Sequence, residues 1–438
     1  MAESVAQEQP SHDVRAAANL LFRRRAGQLT ARLTRILGIE HLDLVEDVVQ
    51  DAFVQALRRW PSAGIPDDPG AWILQVAKNR ALDTLRRRGR WREKCDELGR
   101  SILPASTGNG PQAYFSGEIA DDELRLILAI CNRSLSRDAQ VALTLKTVGG
   151  FGTDEIARAF LTTRPTIAQR LVRAKRVLRQ EGIALAMPPP EELGNRLDAV
   201  LEVIYLMFNE GYSATTADDL VRGELCGEAI RLVELLVAHP GVSNARIHAL
   251  AALFLFQAAR LPARTDRGGD LLPVQEQDRS RWDRGVLRRA LQHHRLSASG
   301  DELTPYHLQA EIASCHTLAP SFEETDWSRI LHCYDTLLAL DPSPIVALNR
   351  AVAVAHVTGA DAGLRALAPL LEGSELRSYN HLFAVEAELL ARAGRPGEAR
   401  RAVAEAIDLS RSRPVRLYLE QRRHEYERAC EGPAGSDA

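Results

Sequence analysis

The residues with the clearest chemical potential lie in the stretch 147–180, TVGGFGTDEIARAFLTTRPTIAQRLVRAKRVLRQ. Ala168, Gln169, Val172, Arg173 and Arg176 fall on one side of a predicted helix. Amide and guanidinium side chains can each make two hydrogen bonds to one base edge, and small apolar neighbours contact the bases between them. Arg170, Lys175 and Arg179 flank that side, where phosphates run. This is the chemistry of reading a major groove. A basic amphipathic helix that is merely solvated carries the same charges, so the surrounding elements decide what the pattern means.

Ile167, Leu171, Ala174 and Leu178 recur at helical spacing on the opposite side and predict a buried stripe. Pro165 suits the first position of this helix, where its missing N–H costs nothing. Upstream, Thr153 is the expected N-cap of a shorter helix, and Asp154 and Glu155 place negative charge at its positive end. Ile156, Ala157 and Phe160 supply its buried side, and a turn over 161–164 joins the two. The pattern is a DNA-binding helix-turn-helix.

At 438 residues the chain should form two to four domains. Few aromatics and abundant Ala, Leu and Arg favour helices, so an all-α fold is expected. The net charge is only −3, but it is unevenly placed. Residues 1–188 hold 28 Lys and Arg against 22 Asp and Glu, and residues 189–438 hold 27 against 36. A basic front and an acidic back fit a nucleic-acid-binding part joined to something else. The six cysteines are scattered, with no C-x-x-C pair. Cys315-His316 and His332-Cys333 sit in apolar helical contexts that favour packing over metal, and no cofactor is expected. The first residues lack a signal pattern, and the longest apolar run, 249–256, is too short to span a bilayer. A cytoplasmic protein without a membrane partner is expected. With no phosphate loop, H-E-x-x-H or nucleophile elbow, the chain does not read as an enzyme.

Residues 1–13 read as a polar tail and 14–37 as a helix bearing Arg23, Arg24, Arg25, Arg32 and Arg35. In HLDLVEDVVQDAFVQALRRW (41–60), Leu44, Val45, Val48, Val49, Ala52, Phe53, Ala56 and Leu57 make an apolar side. Glu46, Asp47, Gln50 and Asp51 make an acidic ridge. PSAGIPDDPG then breaks the chain before a third helix, 71–88, whose basic end continues into Arg90, Arg92 and Lys94. Residues 95–118 read as a linker, and helices over 118–133 and 136–146 lead into the helix-turn-helix. After a second break at MPPPEE, helices follow one another, punctuated at 239–241, 268–270, 341–344, 372–374 and 394–398. Residues 330–409 pattern as helix pairs, with Gly394, Glu398, Ala399 and Ala406 at tetratricopeptide (TPR) spacing. Stacked pairs of this kind are scaffolds for contacts rather than for catalysis.

EDVVQDAFVQAL (46–57), AWILQVAKNRALDTLRRR (71–88) and EIARAFLTTRPTIAQRLVRAKRVLR (155–179) resemble regions 2 and 4 of the extracytoplasmic-function (ECF) sigma factors of bacterial RNA polymerase. VLEVIYLMFNEGYSAT (200–215), GEAIRLVELL (227–236), QEQDRSRWDRG (275–285) and TDWSRILHCYDTLLALDPSPIVALNRAVAVAHVTG (325–359) are similar to the long TPR-like extension of one ECF subgroup. The resemblance implies an all-α chain: region 2 over 14–94, a linker over 95–118, region 4 over 119–183, a linker over 184–195 and the extension over 196–430. It implies RNA polymerase core (clamp helices and flap) and promoter DNA as partners, with a regulatory protein or ligand acting on the extension.

By the same resemblance, Leu44, Asp47, Val48, Gln50, Asp51 and Phe53 would dock on the clamp. Trp60 to Trp72 would border a pocket for a base flipped from the −10 element, with Asn79 bonding it. Lys78, Arg80, Arg86, Arg87 and Arg88 would track phosphates. Ala168, Gln169, Val172 and Arg173 would read the −35 element, with Arg164, Thr166, Arg170 and Lys175 gripping its backbone and Arg176 among its DNA contacts. In the extension, Asn209, Glu210, Tyr212, Gln277, Asp278, Arg279, Arg281, Trp282 and Asp283 crowd into short segments. They read either as a ligand or polymerase contact or as a buried polar network that fixes the helix stack. The competing reading of the whole is a helix-turn-helix repressor or activator with a helical-repeat sensor, which would have no use for the 46–57 and 71–88 modules.

Overall fold

A computed structural model describes residues 12–64, 66–87, 122–160, 162–183, 185–188, 190–212, 223–266, 272–373, 376–410 and 413–431. The fold is all-α, with eighteen helices and no strand among the described residues. The chain divides into two compact units, Met1–Met207 and Phe208–Ala438. Most of the tail 1–13, the linker 95–118, and Arg88, Arg90, Arg92, Lys94 and Cys95 lie outside the described residues.

The first unit opens with a three-helix bundle, α1 (His12–Leu37), α2 (Leu42–Ala63) and α3 (Pro69–Arg87). Gly38 ends α1 at φ 95°, a conformation that costs glycine little, and its N–H reaches Thr34 O at 2.8 Å. Leu29, Leu33 and Leu37 of α1 meet Val45, Val48, Val49, Ala52 and Ala56 of α2 and Ile73, Ala77, Ala81 and Leu85 of α3. The fully buried alanines Ala52, Ala56, Ala77 and Ala81 let the three helices approach closely.

Four further helices follow: α4 (122–130), α5 (Arg137–Thr147), α6 (Thr153–Ala159) and α7 (Arg164–Gln180). Ser136 caps α5, accepting the Ala139 N–H at 3.4 Å. Thr163 caps α7, accepting the Thr166 N–H at 3.3 Å. Thr153 is not the cap of α6 but its first residue; there the Glu155 carboxylate takes the Gly152 N–H at 2.7 Å. Pro165 is the second residue of α7. Ile167, Leu171, Ala174 and Leu178 are the buried stripe, and α7 packs on α5 and α6.

Helix α8 (Pro190–Tyr212) begins inside the stretch expected to be a linker, 184–195. Its first half is tied into the first unit. Arg196 donates to Leu128 O at 3.3 Å, and Glu202 pairs with Arg137 at 2.5 Å.

In the second unit, α9 (Gly223–Ala238), α10 (Ala245–Ala259), α11 (Arg284–Ser297) and α12 (Pro305–Leu318) surround the longest apolar run of the chain. That run is the centre of α10, with Ala249, Leu250, Ala251, Ala252, Phe254 and Phe256 fully buried, and α9, α11 and α12 all pack on it. Phe254 stacks on Phe208 at 4.1 Å. Among the described residues no helix is long and apolar enough to cross a membrane.

The remaining helices are α13 (Trp327–Leu340), α14 (Pro344–Thr358), α15 (Ala360–Glu372), α16 (Asn380–Arg392), α17 (Pro396–Leu409) and α18 (Arg413–Glu431). Each packs on the next in sequence. Gly363 makes the α14–α15 crossing possible, since a Cβ there would lie 2.5 Å from Ala355 Cβ. The small clusters of Leu348, Leu367 and Leu382 and of Ala399, Val403 and Leu419 are each closed by neighbouring helices, the hallmark of stacked helix pairs.

Candidate nucleic-acid interface

On α7, Ala168, Gln169, Val172, Arg173 and Arg176 are exposed, and Val172 keeps 67% of its surface open. Gln169, Arg170 and Arg173 line an open groove with Ser134 and Ser136 of the turn before α5. A rigid, capped helix therefore presents an amide, guanidinium groups and an exposed methyl surface on one side, the set that major-groove reading requires. Arg170 lies 3.0 Å from Asp138, and Arg164 lies 3.6 Å from Asp154. Both pairs are open to solvent on at least one side, so each contributes little to the fold. Thr166 serves the helix start, its hydroxyl 2.8 Å from that of Thr163.

Lys175 stands apart from this face. It is only 12% exposed and donates to Asp43 Oδ1 and Glu46 Oε2 of α2, each at 2.8 Å. Burial alone would lower its pKa, but the Glu46 charge and the hydrogen bonds it donates to Asp43 and Glu46 raise it above the ordinary lysine value. Arg179 joins the same contact, donating to Asp43 Oδ2 at 2.8 Å and Glu40 O at 3.3 Å. In this arrangement Lys175 is not available to a DNA backbone.

Two further contacts join the bundle to the helix-turn-helix side of this unit. Asp122, 1% exposed, takes Arg35 at 2.7 Å and Arg32 at 3.0 Å. Gly27 of α1 meets Val148 so closely that a Cβ would stand 1.9 Å from its carbonyl oxygen. Asp43, Asp122, Gly27 and Val148 carry no local signal of these contacts.

The docking residues expected on α2 divide by exposure. Leu44 and Val48 are 8% and 4% exposed and belong to the bundle core, so they hold α2 in place and offer no surface to a partner. Phe53 is half-buried against the same core. Asp47, Gln50 and Asp51 are exposed. Asp51 pairs with Arg80, which ties α2 to α3.

Trp60 and Trp72 pack against the core with ring centroids 5.7 Å apart, and the buried Trp60 Nε1 has no acceptor among the described residues. Asn79 is exposed and accepts from Gln75 Nε2 at 2.9 Å. Burial lowers the Lys78 pKa. Arg86 and Arg87 are exposed at the described end of α3, and Arg88 lies outside the described residues.

In the second unit most of the crowded polar residues serve the fold. Asp278 accepts the Ser280 N–H at 2.9 Å, and Asp283 caps α11 through Gly285 and Val286 at 2.8 and 3.0 Å. Gln277 donates to Leu272 O at 3.0 Å and Arg281 to Thr265 O at 3.2 Å. Arg279 donates to the carbonyls of His316 and Ala319 at the end of α12. Tyr212 lies under the Arg264 guanidinium at 3.9 Å, Asn209 is half-buried, and the Glu210 side chain lies outside the described residues. Cys333 packs in a core cluster, and no metal-holding group of His, Cys, Asp or Glu occurs among the described residues.

Comparison with known proteins adds independent findings. Residues 21–91, essentially the three-helix bundle, match sigma-70 region 2. Residues 196–298 match a family of unknown function, DUF6596. An uncharacterized protein of Rhizobium meliloti (strain 1021) is 37% identical over 388 residues, covering 87% of this chain and 90% of its own. The ECF RNA polymerase sigma-E factor of Haemophilus influenzae is 26% identical over 164 residues, 37% of this chain and 85% of that protein. The ECF RNA polymerase sigma-E factor of Escherichia coli K12 is 28% identical over 136 residues, 31% of this chain and 71% of that protein. No solved structure matches the chain.

Proposed function

Because the chain belongs to the same family as the Rhizobium meliloti protein and matches sigma-70 region 2 over its front bundle, we propose that it is an alternative sigma factor of RNA polymerase. One observation carries the reading: the region 2 match falls on a bundle with an exposed acidic ridge, within one compact unit with a capped helix-turn-helix. A repressor needs only the second of these.

In this role Asp47, Gln50 and Asp51 meet a basic surface of the polymerase core, where opposite charge speeds docking and fixes orientation. Gln169, Arg173 and Arg176 read the −35 element from α7. In the same role the Trp60–Trp72 region and Asn79 meet a base extruded from the −10 element, and Arg86 and Arg87, exposed at the end of α3, follow the strand. No bond is made or broken by the protein itself.

The ion pairs between α2 and α7 give this factor a closed form. Lys175 and Arg179 neutralise Asp43 and Glu46 while no promoter is bound, and phosphates replace those carboxylates when the modules separate on the polymerase. The second unit, stacked helix pairs like a TPR array, supplies the contact surface through which activity is controlled.

Gel filtration of the chain with core polymerase tests the assignment. The two are expected to co-elute, and Asp47→Lys should weaken the complex without changing the melting temperature of the free chain. Separate elution, with tight duplex binding by the chain alone, would favour a conventional regulator.

A further inference from the structure

Once the structural hydrogen bonds of the QEQDRSRWDR segment are accounted for, Arg279 and Trp282 keep unused donors. They meet two groups from elsewhere in the second unit, Arg260 at the end of α10 and His316 on α12. The guanidinium carbons of Arg279 and Arg260 lie 4.5 and 5.9 Å from the centre of the Trp282 ring. Trp282 is 5% exposed, and its Nε1–H has no acceptor among the described residues. Arg279 Nη2 and His316 Nδ1 are likewise buried without a partner. Arg260 makes one long contact, to Gln277 Oε1 at 3.4 Å.

The cluster is cationic, and among the described residues no buried carboxylate balances it. Burial lowers the Arg260 pKa, with Arg264 adding repulsion. Burial, then Arg260, His356 and Arg279, brings His316 down to about 4. The carboxylate that Arg279 does feel, Glu323, is exposed and hydrogen-bonded to Ser321 in its own loop. Arg264, the third guanidinium, is taken by Tyr212, donating to its carbonyl at 2.9 Å.

A guanidinium cannot discharge itself as a lysine or histidine does, so a buried one without a counter-charge is a strained arrangement unless an anion joins it. We infer that Arg260, Arg279, Trp282 and His316 frame a binding site for a small oxyanion, a phosphate or a carboxylate. Arg279 Nη2, the Arg260 guanidinium and the indole N–H leave donors unused beside one another, and an oxyanion supplies the several lone pairs they need. The inference concerns binding alone and stands apart from the transcriptional reading.

The test is fluorine NMR of the full chain labelled with 5-fluorotryptophan, which has five tryptophans to report. Trp282→Phe assigns one resonance. Sodium phosphate and sodium citrate are titrated separately, each against sodium chloride at matched ionic strength. The Trp282 signal is expected to shift saturably with one of the two oxyanions and not with chloride, and the anion that saturates at lower concentration fixes the ligand chemistry. Arg279→Lys and Arg260→Lys keep the charge but lose the fork, and each should weaken binding at least about tenfold. Unchanged signals from the other tryptophans establish that these variants are folded. A Trp282 signal that follows ionic strength alone, or that saturates equally in the lysine variants, would overturn the inference.

Discussion

Glu46→Gln is the sharpest perturbation of the closed form. Lys175 is held between Asp43 and Glu46 at 2.8 Å each, but the two carboxylates differ in environment. Asp43 is 55% exposed, so water screens its contribution, whereas Glu46 is 16% exposed and retains most of it. A hydrogen bond to a charged group contributes about 1.5–3 kcal/mol, and the amide keeps an acceptor while losing the charge. The closed form should therefore lose about 1.5–2 kcal/mol, which shifts the ratio of open to closed molecules roughly 10- to 30-fold. Because apparent affinity scales with the competent fraction, binding of the free chain to promoter duplex should tighten by about tenfold. Fluorescence anisotropy at fixed salt measures this. Asp47→Asn is the control: it removes the same charge from the same helix but from an exposed residue outside the Lys175 contact, and should change affinity by less than about twofold. Equal gains from both variants would refute the reasoning and leave only a general charge effect.

Gly27→Ala places a Cβ 1.9 Å from the Val148 carbonyl oxygen, a backbone atom that cannot swing away. It should cost about 1–3 kcal/mol in thermal melts and, like Glu46→Gln, raise duplex affinity. Arg173→Ala should cost about 1–3 kcal/mol at the cognate −35 element and relax preference at one base position, read by competition among base-substituted duplexes. His293, His316 and His356 are each brought from 6.5 to about 4, first by burial and then by neighbouring cations or histidines. These folded-state values are depressed, so the unfolded chain binds more protons between about pH 4 and 6.5. The stability linked to these residues is present above pH 6.5 and lost as pH falls towards 4. Melting curves of the full chain across that window should show the midpoint falling, and His293→Asn should flatten the slope.

What the sequence could show was set by distance along the chain. The stripe Ile167, Leu171, Ala174 and Leu178 is buried in the structure because helical spacing is a local property. The apolar side of α2 is equally plain, yet it is that burial which removes Leu44 and Val48 from any docking surface. Resemblance marks a whole helix, while exposure separates its two sides. The Asp278 and Asp283 caps are also local, each bonding within three residues, and an Asp at those offsets is a readable cap signal. The Lys175–Asp43 contact spans 132 positions and had no such signal. The same holds for Arg260 meeting Trp282: only folding reveals which donors remain unused.

Run-off transcription with purified core polymerase tests the central claim most directly. The templates are promoter fragments that include the region upstream of the chain's own gene. A sigma factor yields a discrete transcript that appears only when the chain is added, and that weakens for Arg173→Ala. No transcript on any template, together with tight duplex binding by the chain in the absence of polymerase, would contradict it.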